Sequence, residues 1–329
     1  EEIAILVRFS HPIEVKGTAL LHLNCEAVEQ STEEDAVNRC SVDGSDYEYA
    51  ENITGTIRTI TTSHCPNHEY ASGLNPNFPV NEETSYNYPA YPRYDDSVEV
   101  SHSTRGGGIG VLFSGSLVFS PFAGYVEAEG WSTSAVYYEG ASFDECGCHS
   151  SSTTEPSYHT HVPPSCLLAQ LGMEEGSHSP MIGWAADGFP VYGPLGPNGT
   201  AMQTCSVSGG AYGTDVCTDD CGGLYGEYPD VDKFVYRYYI MGQYQTSGSA
   251  DQCQTGADNF IWSADYFPFT PLCFKGCIAA NDTSLYSAAS YLPTCTSNAE
   301  NGYTTAYTAA AAPALEIDDS YCTKNGTAG

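Results

Sequence analysis

Ile109-Gly110-Val111-Leu112-Phe113-Ser114-Gly115-Ser116-Leu117-Val118-Phe119 is the stretch whose pattern decides the class of fold. Ile109, Val111 and Phe113 occupy alternate positions, and side chains of an extended chain alternate between two faces. Ser114-Gly115 supplies a turn and Leu117 and Phe119 resume the alternation, which predicts a β-hairpin. A second hairpin is predicted where Ile182 and Trp184 lead into Asp187-Gly188 and Phe189 and Val191 lead out. Phe234, Tyr236, Tyr238 and Ile240 alternate with Val235, Arg237 and Tyr239, predicting a strand with one buried face. Upstream, residues 56–62 are β-branched and strand-like, whereas residues 66–93 are rich in Pro, Asn and Tyr and are expected to form an ordered loop. Helical signal is confined to short pieces such as residues 166–171, stopped by Gly172. The expectation is a mainly β fold with few short helices.

The chain has 329 residues, enough for one large or two ordinary domains, and 14 cysteines. Structural zinc sites bring two close cysteine pairs, or one such pair with a spaced histidine pair. Here Cys25, Cys40, Cys65, Cys166, Cys205, Cys253, Cys295 and Cys322 are isolated, and the near pairs Cys146/Cys148, Cys217/Cys221 and Cys273/Cys277 lack that arrangement. Up to seven disulfides and an oxidising compartment follow. Asn52, Asn198, Asn281 and Asn325 each open an Asn-x-Thr sequon, which fits N-linked glycans on a secreted, extracellular product. No run approaches the ~20 apolar residues of a membrane span. The start, Glu1-Glu2-Ile3, lacks a basic or apolar leader, as expected where a signal peptide has been removed.

Charge excludes some partners. With 41 acidic residues against 10 basic, the net charge is −31. Nucleic-acid binding depends on Lys and Arg neutralising phosphates, and anionic membranes make the same demand. A self-repelling, solvated surface is one reading; acidic clusters holding Ca²⁺ are another, although no EF-hand spacing occurs.

Residues 1–55 read as an N-terminal extension. Residues 3–9 and 20–23 are strand-like, and Ser31-Thr32-Glu33-Glu34 is a capping box for a short helix ending near Cys40. The tail from residue 279 is rich in Ala, Ser, Thr and Tyr. One weak repeat is visible: Asp144-Glu145-Cys146-Gly147 ahead of Tyr158-His159-Thr160-His161, and Asp219-Asp220-Cys221-Gly222 ahead of Tyr236-Arg237-Tyr238-Tyr239.

The segment most suggestive of chemistry is Tyr158-His159-Thr160-His161. In a strand His159 and His161 share a face and can give two ligands of a Zn²⁺ or Cu²⁺ site, with a third from His149 or His178. Asp144, Glu145 or Asp187 would orient an imidazole or bind the cation. The competing reading has the same histidines hydrogen-bonded to carbonyls and tyrosines inside the domain. No G-x-S-x-G elbow is present, Gly106-Gly107-Gly108 lacks the Lys-Ser/Thr of a phosphate loop, and no catalytic residue is assigned.

The run from Tyr158 through Val162-Pro163-Pro164-Ser165-Cys166-Leu167-Leu168 is followed by His178-Ser179-Pro180-Met181-Ile182-Gly183-Trp184-Ala185-Ala186-Asp187-Gly188-Phe189-Pro190-Val191-Tyr192-Gly193-Pro194. Together with Cys65-Pro66-Asn67-His68, Asp220-Cys221-Gly222-Gly223 and Leu272-Cys273-Phe274-Lys275-Gly276-Cys277, these segments resemble the YHYH domain family over residues 56–278. The resemblance implies a secreted, disulfide-rich single β domain at 56–278, which the repeat suggests is made of two related halves, and no particular reaction. Extensions at 1–55, a strand-and-helix assembly arm, and at 279–329 would flank it. Thr160 stands where the naming motif has its second tyrosine, and Tyr236-Arg237-Tyr238-Tyr239 holds no histidine, so four histidines from two copies cannot be assembled. Two functions are expected. One is a structural subunit of an extracellular filament, sheath or surface layer, associating with its own copies or other matrix subunits through the apolar segment 3–9. The alternative is a metal-binding protein or metalloenzyme using His159 and His161.

Overall fold

Residues 38–70, 75–102, 107–126, 131–144, 146–152, 154–226, 234–242, 264–288 and 290–302 are described in a computed structural model of the chain. The expected strands at 3–9 and 20–23, the start of the expected short helix and the tail beyond 302 lie outside them; residues 38–40, where that helix is expected to end, are not helical, and Arg39 instead bridges to Val80. In chain order the elements begin with β1 (Tyr49–Thr54), β2 (Ile57–Thr62), β3 (Thr84–Pro89), β4 (Arg93–Tyr94) and β5 (Val100–Ser101). Then come β6 (Gly108–Leu112), β7 (Leu117–Phe119), β8 (Phe122–Val126), β9 (Trp131–Ser134) and α1 (Ala135–Glu139), followed by β10 (Cys148–Ser150), β11 (Tyr158–Thr160) and α2 (Ser165–Gln170). The remainder is β12 (Met181–Ala185), β13 (Pro190–Tyr192), α3 (Cys205–Ser208), β14 (Gly223–Tyr225), β15 (Tyr236–Tyr239), β16 (Cys273–Phe274), β17 (Gly276–Cys277) and β18 (Glu300–Asn301). The fold is mainly β with three short α-helices among the described residues.

Both predicted hairpins form, β6–β7 around Gly115 and β12–β13 around Gly188, and both turn glycines have positive φ. They are central in an eight-stranded sheet of order β10-β11-β7-β6-β12-β13-β15-β14. β15 departs from expectation: all four of its residues are buried, because this strand, flanked by β13 and β14, is covered on both faces. The stretch 66–93 also differs, since its Thr-Ser-Tyr-Asn-Tyr-Pro segment forms β3 and pairs along its length with β2. Tyrosine and threonine favour a half-buried strand, and that preference outweighs the local proline and asparagine signal. The β1-β2-β3 sheet contributes Ile60 and Tyr88 to the same core as Val111, Leu112, Ile182, Trp184, Phe234 and Tyr238. Residues 279–302 join this unit: Tyr286, Ala288 and Leu292 are buried in the core, and β18 pairs with β4.

The order of the large sheet is a palindrome. β6 and β12 pair antiparallel at its centre; outward from each lie its hairpin partner, then a parallel strand, then an antiparallel edge strand. At the centre the register is Gly110↔Ala185, Val111↔Trp184 and Leu112↔Gly183. A Cβ on Gly110 would lie 2.5 Å from the Trp184 carbonyl oxygen, and one on Gly183 would lie 2.3 Å from that of Val111. Glycine is what permits this approach.

Five disulfides form among the described residues: Cys40–Cys65, Cys146–Cys166, Cys205–Cys217, Cys221–Cys273 and Cys277–Cys295. Each near pair in sequence is split between bridges or, for Cys148, placed apart as a buried residue of β10. Cys25, Cys253 and Cys322 lie outside the described residues.

Candidate metal centre

The β10–β11 hairpin sets His149 directly opposite His159, and His161 follows at the end of β11. Their Nε2 atoms converge: His149 to His159 is 3.0 Å and His159 to His161 is 2.9 Å. The fourth group is Glu139, the last residue of α1, whose Oε2 lies 3.5 Å from His149 Nε2 and 3.2 Å from His161 Nε2. The four ligand atoms all fall within 4.8 Å of one another. Around a tetrahedral zinc with bonds of ~2.0–2.1 Å, neighbouring ligand atoms are about 3.3 Å apart.

The outward-facing nitrogens fix which atom of each ring carries the proton. His159 Nδ1 lies 2.5 Å from the Ser157 carbonyl oxygen, and His161 Nδ1 lies 2.7 Å from that of Ser120. Carbonyl oxygens only accept, so both Nδ1 atoms donate. Ser142 Oγ donates to the Glu139 carbonyl at 2.7 Å, so it accepts from His149 Nδ1 at 2.8 Å. A neutral ring with its proton on Nδ1 presents a bare lone pair at Nε2. With all three rings neutral, three such lone pairs and a carboxylate meet with no hydrogen between them.

Protonating His149 or His159 is disfavoured at neutral pH. Burial pushes His149 down to about 4, helped by His161 and opposed by the Glu139 charge. Burial also drives His159 well below its ordinary range, with His161 and His149 adding to the effect. Phe119 stacks on His159 at 3.6 Å between ring centroids, and Phe143 meets His149 edge-on at 4.7 Å, so the wall is apolar. Burial alone would raise the Glu139 carboxyl, but the neighbouring His161 and His149 hold it below the usual range.

Of the expected ligands, His149, His159 and His161 come together. His178 does not: its Nε2 lies 2.8 Å from Tyr239 Oη and its ring packs edge-on to Tyr192, in the other half of the sheet. The expected orienting carboxylates are also elsewhere. Asp144 accepts the Tyr158 hydroxyl and the Cys146 and Cys148 amides, and Asp187 accepts the Tyr238 hydroxyl at 2.7 Å and the Gly276 amide at 3.0 Å. Glu145 lies outside the described residues. Two serines' environments, the Ser157 and Ser120 carbonyls, and the Ser142 hydroxyl do the orienting instead. Glu139 carried no sequence signal, being one of 41 acidic residues and ten positions ahead of the nearest ligand.

Two further groupings include disulfide sulfurs, His68 with Cys146 and Cys166, and Glu99 with Cys221 and Cys273; a bridged sulfur is not a thiolate ligand.

No curated protein and no solved structure matches the chain. Residues 85–212 match the family model described as YHYH protein. That span contains Glu139, all three converging histidines and the Tyr158-His159-Thr160-His161 segment, so the region that builds the cluster is the region similar to the YHYH family.

Proposed function

We propose that Glu139, His149, His159 and His161 bind a zinc or copper(II) ion. The observation that carries this reading is the convergence of three Nε2 lone pairs whose Nδ1 protons are all committed outward. Buried acceptors that face one another need a cation between them. Imidazole suits zinc and copper, whereas Ca²⁺ takes six to eight oxygens, so calcium does not fit this donor set. Orientation of each ring by an outer partner is the usual support of a metal-bound histidine.

The setting we propose is extracellular, in an N-glycosylated protein. Support comes from the five disulfides, from exposed positions of Asn52, Asn198 and Asn281, and from the fact that no helix of the described residues is long and apolar enough to cross a membrane. Asn325 lies outside the described residues. A role as an assembly subunit would act through residues 1–37 or the tail beyond 302, also outside them.

Metal analysis of protein purified from an oxidising expression host tests the reading. One zinc or copper per chain is expected, with loss of the ion in H159A and H161A at preserved far-ultraviolet circular dichroism. Wild-type protein that takes up no transition metal under saturating conditions would sink the idea.

A further inference from the structure

We propose that Glu139 is an exchangeable ligand, so that the fourth position of this centre takes small anions, carboxylates among them. The inference rests on the metal reading above. The histidine side chains of His149 and His161 are 5% and 1% exposed, whereas that of Glu139 is 31% exposed. Each ring is held by an outward hydrogen bond and backed by Phe119 or Phe143, so the imidazoles form a fixed three-nitrogen floor. Glu139 ends a helix of only five residues, whose N-cap Ser134 makes no side-chain cap. Among the side chains of His149, His161 and Glu139, solvent reaches Glu139 most, so the carboxylate is the ligand on the solvent side of the centre. Three protein nitrogens with a fourth place open to solvent is the arrangement of exchange-competent zinc sites, while structural sites are closed.

The test uses the full chain loaded with Co²⁺, whose visible spectrum reports its ligands, and azide as the probe. Azide is expected to change the spectrum saturably. E139A is expected to retain one Co²⁺ and to bind azide about tenfold more tightly, since no internal carboxylate competes. Co²⁺ bound one per chain with a spectrum indifferent to azide, in both proteins, would overturn the exchange and leave the metal site standing as a closed one. Failure of the wild type to bind Co²⁺ would overturn both.

A different observation carries a second inference: we infer that the eight-stranded sheet is two copies of one unit, and that the second has refilled the metal position. Gly110-Val111-Leu112-Phe113-Ser114-Gly115-Ser116-Leu117-Val118-Phe119-Ser120-Pro121 corresponds to Gly183-Trp184-Ala185-Ala186-Asp187-Gly188-Phe189-Pro190-Val191-Tyr192-Gly193-Pro194. The backbone repeats with it. Thr160 pairs in parallel with Val118 as Tyr238 does with Val191. Asp144 Oδ1 accepts the Cys148 amide at 3.0 Å and Asp219 Oδ1 the Gly223 amide at 2.9 Å, while the Tyr158 and Tyr236 hydroxyls donate to the second oxygen of each. The Ser165 amide bonds Cys146 O ahead of the Cys146–Cys166 bridge, and the Leu272 amide bonds Cys221 O ahead of Cys221–Cys273. In this register His149, His159 and His161 become Leu224, Arg237 and Tyr239. H149L/H159R/H161Y is expected to fold, since the same frame holds that set natively, and to bind no Co²⁺. L224H/R237H/Y239H is expected to raise bound Co²⁺ from one to two per chain. A folded L224H/R237H/Y239H that stays at one would overturn the equivalence, and so would a collapsed H149L/H159R/H161Y.

Discussion

Ser142 shows how much one hydroxyl decides. Its hydrogen goes to the Glu139 carbonyl, its lone pair to His149 Nδ1, and so a single side chain fixes both the end of α1 and the tautomer of a ligand. Removing such an outer partner costs roughly 10–100-fold in metal affinity. S142A is expected to fold and to lose affinity within that range, measured by competition with a chromophoric chelator. His68, which ligates nothing in this reading, sets a pH dependence. Its ring is buried between Asn67 and the Tyr158 hydroxyl, and burial lowers it to about 4. An unfolded histidine takes its proton near 6.5, so the native state is stabilised above that pH and loses the contribution as pH falls toward 4. At pH 5 the loss relative to pH 7.5 is about 2 kcal/mol. Asp187 and Asp219, which burial raises to about 6, pull the other way, favouring the fold as pH falls from about 6. Urea unfolding of H68Q beside wild type isolates the histidine: the gap between them should narrow by about 2 kcal/mol from pH 7.5 to pH 5.

At the scale of elements, strand pairing across the middle of the sheet depends on absent side chains. Gly110 and Gly183 face each other's strand so closely that a methyl group on either meets backbone, which cannot swing aside. G183A is expected to cost more than the ~1–3 kcal/mol usual for overpacking, and to leave little folded protein in expression trials. Between β1, β2 and β12, Arg58 lies over the Trp184 ring at 3.5 Å and pairs with Glu51, which also accepts the Trp184 indole N–H at 2.9 Å. Both charged side chains are buried, so E51A strands a cation in the core; an unfolding measurement should register a loss of about 3–5 kcal/mol. Elements of this kind differ in how well the sequence announces them. The two hairpins were legible because period-two alternation and a Gly turn are local. So was the shared face of His159 and His161, for the same reason. β3 was not, since the prolines and asparagines of the stretch around it argue for a loop until β2 pairs with it. Glu139 was illegible because α1 reaches the hairpin through space, and no spacing rule joins a residue on a five-residue helix to one on a strand.

Across the whole molecule the two edges of the large sheet are finished differently. Edge strands expose unpaired backbone groups and are the parts that open first. At one edge β14 is held through the Cys221–Cys273 bridge and the Asp219–Tyr236 hydrogen bond. At the other, β10 has the matching bridge and Asp144–Tyr158 bond, and in addition carries His149, joined through the centre to His159, His161 and Glu139. A metal bound there would tie α1, β10 and β11 together with bonds that exist only in the folded chain, so its binding would add directly to stability. At a free concentration about 1,000 times its dissociation constant an ion contributes about 4 kcal/mol, which for a domain of this size shifts the melting temperature on the order of 10 °C. A chelator should remove that increment, and it should do so unevenly. Amide hydrogen exchange should rise across residues 139–161, where the edge is released, while β12, β13 and β15 keep their protection because their hydrogen bonds and core contacts do not involve the centre. Uniform loosening of the whole sheet would show that the ion supports the fold globally, and unchanged exchange on chelation would show that the four side chains hold no ion at all.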